Sequence, residues 1–373
     1  MLRCSPEQLT EGMILERALL DANERLLLAA GQVLNKKYVQ RIQDLQIPFV
    51  YIKDPLGVVN CPPLVGPQII TDTINSLKDY YEEFAQTEKA DLKPLKAQVD
   101  YIIDDISRNN NIMIGISDLK DYDDYTYQHS VNVCALSIAL GIRHGYSRPQ
   151  LQQLGMGALL HDIGKISLPL EIINKPDHLT FEEYTVVKRH PWEGSVIARD
   201  TNKGLSQESV KGILQHHERL DGSGYPRGLS NGNIHPNGMI IAVADTFDAL
   251  VSNRPYRAAF NNKQAIEIME KERGTHLSPV FMDYLLSIVN IYPPGSVVNL
   301  SNGDQAVVTE VNPNDYSKPL VKLLFDDHGQ AYDVNDVFSL EENLNVSILM
   351  VVEREKAEKR ILNYLKMRSR EPE

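Results

Sequence analysis

The sequence predicts a multidomain, mainly α protein: an all-α helical bundle flanked by a small N-terminal α/β domain and by a small C-terminal β-rich segment with a terminal helix. Three observations carry this reading. Apolar residues between about 109 and 292 recur at helical spacing, with almost no period-2 alternation. After Pro293-Pro294-Gly295 the pattern changes to short strand-like runs separated by turn residues. A length of 373 residues with 42% apolar content also suits two or three domains better than one.

Residues 1–65 mix short β-like runs, Phe49-Val50-Tyr51-Ile52 among them, with a helical stretch around Lys36 to Leu45, and end in Pro62-Pro63. This is the expected accessory α/β domain. In residues 66–108, Ile69, Ile74, Leu77 and Tyr81, then Leu95, Val99, Ile102 and Ile103, fall at helical spacing among many charges, which predicts a helical connector. Residues 109–292 form the bundle. In residues 293–345 the runs Val297-Val298, Ala306-Val307-Val308 and Leu320 to Phe325 are set apart by Asn302-Gly303, Asn312-Pro313-Asn314 and Asp327-His328-Gly329, as in a small β-domain. Residues 346–373 are expected as a charged helix, clearest over 351–368, with Ile361, Leu362 and Leu365 on one stripe.

Composition narrows the function. A net charge of -12 argues against general attraction to nucleic acid, so an anionic substrate must be welcomed locally, as bound divalent ions would do. No apolar stretch approaches the roughly 20 residues of a membrane span, and Met1-Leu2-Arg3-Cys4-Ser5-Pro6 lacks a secretory signal, so the expected location is the cytoplasm. Cys4, Cys61 and Cys134 are scattered and read as reduced structural thiols.

Ten histidines are present, and five of them fall where a helix turns inward or ends. His129 shares a face with Val133, Leu136 and Leu140. His161, followed by Asp162, lies in line with Leu154 and Ala158 in a helix that Ser147 and Pro149 start. His190 sits at a junction, because Pro191 ends the helix begun by the capping box Thr180-Phe181-Glu182-Glu183 and opens another. His217 follows Val210, Ile213 and Leu214 at helical spacing, and His216 lies about 100° around the same axis. Asp245 interrupts the apolar run Met239 to Ala244, where an ionised carboxylate needs a partner. One histidine on an apolar face is more often a hydrogen-bonded core residue. Five imidazoles and two carboxylates on successive helices would each need a separate partner, whereas divalent metals satisfy them together. Imidazole and carboxylate without thiolate suit iron, manganese, nickel or zinc.

The segments "HDIGK" at 161–165, "HHERLDGSGYP" at 216–226, "YTYQHS" around His129, "HPWEG" from His190 and "ADTFDALVSNRPYR" at 244–257 resemble the HD-GYP class of HD-superfamily phosphohydrolases in order and spacing. The likeness covers about 109–292, half the chain, and makes the expected bundle an HD-type one. It implies a cyclic-di-GMP phosphodiesterase yielding pGpG, with GMP as the product of any second cleavage, through a hydroxide bridging two metals. By the matching motifs one metal is held by His129, His161, Asp162 and Asp245, and the other by Asp162, His190, His216 and His217, iron or manganese being preferred. Asp162 thus bridges and is expected to be catalytic. Lys165 would act with it and contact the scissile phosphate, and Arg254 and Arg257 would contact phosphate or guanine. Asp248 is expected to support a ligand or an arginine. Where some members carry a third-metal glutamate this chain has Tyr125, and Asp124 points away, so two metals are expected. His276-Leu277-Ser278-Pro279 also departs from the usual residues, away from the ligands. A nucleotide receptor with little turnover, or a hydrolase of another cyclic dinucleotide, are the competing readings. The loop Asp221 to Pro226, with Gly222 and Gly224 free to take positive φ, is expected to turn beside the site and to offer a contact for a signalling partner. The terminal helix is compatible with an oligomer.

Overall fold

The computed structural model describes residues 2–4, 6, 9, 11–20, 26–45, 47, 50–53, 64–108, 125–173, 175, 179–200, 205–252, 259–312, 315, 317–332, 337–343, 345–352, 356 and 360. The chain divides into two compact units, Met1–Cys61 together with Ile291–Glu373, and Pro62–Asn290.

The first unit contains β1 (Leu2–Cys4), β2 (Leu19–Leu20), β3 (Leu26–Leu28), helix α1 (Lys36–Asp44) and β4 (Val50–Ile52) from the N-terminal end. From the C-terminal end it takes β5 (Val297–Leu300), β6 (Gln305–Glu310), β7 (Leu320–Phe325), β8 (Val337–Ser339) and β9 (Ile348–Val351). β1 pairs with β4 and β2 with β3, while the later strands form one antiparallel sheet in the order β8-β7-β6-β5-β9. The segments expected as separate terminal domains share a core: Leu15, Leu34, Ile42 and Ile52 pack with Val297, Val307 and Leu324. Each segment alone has few apolar residues, and joining them buries more of that surface. A second difference lies at 346–352, expected as the start of the terminal helix. Ile348-Leu349-Met350-Val351 is a β-favouring run, and it adds a strand to the free edge of β5. Beyond residue 352 only Lys356 and Arg360 are described, both helical; Ile361, Leu362 and Leu365 lie outside the described residues.

The second unit is helical: α2 (Pro67–Thr87), α3 (Lys93–Arg108), α4 (Tyr125–Arg143), α5 (Arg148–Leu159), α6 (Leu170–Ile173), α7 (Phe181–Val187), α8 (His190–Asp200), α9 (Gln207–Gln215), α10 (Pro236–Val251), α11 (Asn262–Glu270) and α12 (Pro279–Ile288), with a 3₁₀ turn over Ile163–Ser167. The stretch expected as a connector is α2 and α3. Their apolar stripes are complete enough to be buried, and Ile74, Leu77, Leu95, Val99 and Ile102 enter the same core as Leu136, Ile138 and Leu154 of α4 and α5. The helix starts follow the local signals. Gln150 accepts a hydrogen bond from the Ser147 backbone at the head of α5 (2.9 Å), and Glu183 does the same for Thr180 before α7 (2.7 Å). Among the described residues no helix is long and apolar enough to cross a membrane.

Candidate metal centre

Five helices or helix ends deliver the predicted residues to one place. His129 projects from α4 and Asp245 from α10, His190 opens α8, His161 and Asp162 follow the end of α5, and His216 and His217 follow the end of α9. Helix α5 stops at Leu159, so His161 arrives from the turn after the helix rather than from its face. That turn can approach α8 only because residue 164 is glycine. A β-carbon on Gly164 would lie 2.0 Å from the His190 carbonyl oxygen and 2.4 Å from the Gly194 nitrogen. The close approach brings an Asp162 oxygen to 3.3 Å from His190 Nε2.

Three imidazoles are anchored in the same way. The Nδ1 of His161, His190 and His216 lies 2.8, 2.8 and 2.7 Å from the carbonyl oxygen of Ala158, Val187 and Ile213, each three residues earlier. A carbonyl only accepts, so each Nδ1 donates, and each ring turns its Nε2 inward. Those nitrogens face one another and the Asp162 carboxylate. His161 Nε2 is buried without a hydrogen-bond partner, and His190 Nε2 and His216 Nε2 face each other at 3.2 Å. His217 completes this side, its ring centroid 4.2 Å from that of His216. His129 is held differently. Its Nδ1 lies 2.7 Å from Asp248 and its Nε2 3.1 Å from Asp245. Two groups emerge whose ligand atoms lie within 4.8 Å of one another: His190, His216 and His217, and His129, His161 and Asp162.

The electrostatics divide along the same line. Burial, joined by neighbouring imidazoles, holds His216 well below the ordinary histidine range. Burial also lowers His190, and it brings His217 down to about 3 against the pull of Asp245. Burial opposes charge on His129 too, but hydrogen bonds to Asp245 and Asp248 prevail and raise it to about 10. Asp162 is buried and Asp245 partly so, which disfavours their charge, yet both stay below the usual carboxylate range. Lys165, His161 and His190 act on Asp162, and His129, His161 and His217 act on Asp245.

The remaining expected residues fall as follows. Lys165 places Nζ 2.5 Å from Asp162 Oδ2. Arg254, Arg257 and Asp124 lie outside the described residues, as does the side chain of Tyr125. Asp248 is fully buried and contacts a candidate ligand, His129, in keeping with its expected supporting position. Sequence reasoning missed the groups behind it: Asn132 Nδ2 donates to Asp248 (2.9 Å), and Gln128 Nε2 donates to Asn132 (2.7 Å). The available signal was a pair of amides one turn apart on the His129 helix. Glu218 was also missed. It is 3% exposed, and its two oxygens accept the backbone N–H of Arg227 and Leu229 at 2.8 Å each, folding the glycine loop back. In that loop Gly222 takes φ +81° as expected. Gly224 does not; it is required instead by proximity, since a β-carbon there would lie 2.4 Å from Arg219 N and 2.5 Å from the His217 oxygen.

Inward-facing imidazole nitrogens, that of His161 without a hydrogen-bond partner, beside ionised carboxylates fit a divalent metal centre. The chain is similar to known proteins. Over 227 residues the chain is 40% identical to the "Cyclic di-GMP phosphodiesterase PA4108" of Pseudomonas aeruginosa, covering 61% of this chain and 54% of that one. It is 39% identical over 171 residues to a cyclic di-GMP phosphodiesterase of Thermotoga maritima (46% of each chain), and 39% identical over 163 residues to "3'3'-cGAMP-specific phosphodiesterase 1" of Vibrio cholerae (43% and 36%). The chain spans about half the length of the first two relatives, and about a third of the last. Residues 297–360 match a KOW domain associated with the HD domain, and residues 115–280, which hold all seven clustered histidines and aspartates, match an HD domain.

Proposed function

We propose that this chain is a metal-dependent phosphodiesterase that hydrolyses cyclic-di-GMP to pGpG. The observation that carries this reading is the gathering of inward imidazole Nε2 atoms around Asp162, with His161 Nε2 left buried without a hydrogen-bond partner. The names of the relatives in Pseudomonas aeruginosa and Thermotoga maritima support the substrate class. His129, His161, Asp162 and Asp245 would hold one ion and Asp162, His190, His216 and His217 a second, with Asp162 shared. Iron or manganese suits this donor set best, and nickel or zinc also matches it. Such ions supply Lewis-acid charge at a phosphate oxygen and acidify an attacking water. The protein's own groups do the rest. Asp248 and Asn132 fix the ring of His129, and the carbonyls of Ala158, Val187 and Ile213 fix those of His161, His190 and His216. Lys165, now on Asp162, brings a cation to the edge where a phosphate would dock, and Arg254 and Arg257 are assigned to phosphate or guanine. The terminal segments are assigned to regulation, in a cytoplasmic protein.

The Vibrio cholerae relative, whose name specifies 3'3'-cGAMP at nearly the same identity, favours a second reading in which the base selectivity differs. Both are tested together. The full chain, purified anaerobically with Fe²⁺ or Mn²⁺, is given cyclic-di-GMP and 3'3'-cGAMP, and the products are separated. Conversion of cyclic-di-GMP to pGpG, abolished in His161→Ala and Asp162→Ala, is expected. Turnover of 3'3'-cGAMP alone would reassign the substrate, and binding without turnover would make the protein a receptor.

A further inference from the structure

Exposed aromatic rings flank His190 on both sides. Phe181 and Tyr184 on α7 are 77% and 44% exposed, and Trp192 on α8 is 42% exposed. Rings of this size usually enter a core or an interface. Here each carries a cation instead: Lys188 Nζ lies 5.9 Å from the Phe181 ring centre and 5.0 Å from that of Tyr184, and Arg227 Cζ lies 5.6 Å from that of Trp192. The belt runs into the metal centre. Arg227 follows Tyr225 by two residues, and the Tyr225 ring lies 4.7 Å from that of His217 and 6.4 Å from that of His190.

We infer that Trp192, backed by Arg227, forms a stacking platform for a purine base of the dinucleotide whose phosphate docks at the metal centre. The inference rests on the phosphodiesterase reading and adds to it the surface that holds the base. A cyclic dinucleotide joins two bases to a phosphate ring, so a base lies only a sugar away from a phosphate at the ions. Flat rings offer each base a face without selecting its edge, and a cation on the ring adds attraction for the anionic ligand. That attraction matters in a chain whose net charge is -12. An apolar partner protein would have to bury Lys188 and Arg227 on the same rings, which disfavours it.

Trp192 is the chain's only tryptophan, so its fluorescence reports on the platform directly. The metal-loaded full chain is titrated with a phosphorothioate analogue of cyclic-di-GMP that resists hydrolysis. Saturable quenching is expected, and ribose 5-phosphate, which has sugar and phosphate without a base, should leave the emission unchanged. In kinetics, Trp192→Ala should lower the kcat/KM ratio of cyclic-di-GMP to bis(p-nitrophenyl) phosphate about tenfold, the scale of one lost base stack. Trp192→Phe should recover most of the loss, Leu170→Ala serves as the exposed control, and metal content verifies that each variant folds. An unchanged emission with the analogue bound, or an unchanged ratio in Trp192→Ala, overturns the platform and leaves the belt to a protein partner. A wild type that cleaves no cyclic dinucleotide overturns the underlying reading instead.

Discussion

The two sides of the histidine cluster hold the same ring in opposite ways. His161, His190 and His216 each donate from Nδ1 to a carbonyl three residues back, at a helix end or junction, and burial keeps His190 and His216 neutral. His129 sits mid-helix, where backbone carbonyls are already used, and is clamped by the carboxylates of Asp245 and Asp248. The difference teaches that helix termination is part of the chemistry. A terminal turn leaves carbonyls free to fix an imidazole at no cost in charge, whereas a mid-helix imidazole needs an acidic partner from another helix. Without metal, the first arrangement keeps its rings ready to coordinate, and the second must release a proton first.

Breaking the helix-end side should have the largest effect. Gly164→Ala drives a β-carbon into the His190 carbonyl oxygen, which no side-chain rotation relieves. It should cost about 3 kcal/mol or more in denaturant unfolding and displace His190 from Asp162. Breaking the mid-helix side should be milder. Asp248→Asn keeps the volume and removes the charge that holds His129, and it should weaken binding of the ion on that side by roughly 10- to 100-fold in a chelator competition, with the other ion retained.

The smallest effect lies in pH, and it has opposite signs on the two sides. In chelator-treated protein, His129 is raised to about 10, so its contribution to stability is complete below the unfolded value of 6.5 and is lost as pH rises through about 10. His190, His216 and His217 are lowered. Their contribution is present above 6.5 and is lost as pH falls, for His217 down to about 3. Melting temperature followed from pH 4 to 10 should fall on both sides of neutrality, and His129→Gln should flatten the alkaline side only. Flattening of the acid side by that variant would contradict the division.

Periodicity made the bundle legible because a helix must bury its stripe, and the same rule placed His129 on an inward face, while Asp245 stood out as a charge in an apolar run. It missed what depends on the third dimension. Residues 66–108 read as a connector because nothing in their pattern says which partner covers the stripe. Residues 348–351 were taken into the terminal helix, although an apolar β-branched run can complete a sheet edge. At the site, the seven expected metal-site residues were brought together, but the carbonyl anchors are invisible in a sequence because every residue has one. Asn132 and Glu218 looked like ordinary polar residues until Asp248 and the loop backbone were seen against them.

The central claim is that the inward nitrogens and carboxylates form a site for two divalent ions sharing Asp162. The most direct test is elemental analysis of the full chain purified anaerobically with Fe²⁺ or Mn²⁺, beside Asp162→Ala. The account predicts two transition-metal ions per chain and their loss in the variant; a wild-type chain that carries none would contradict it.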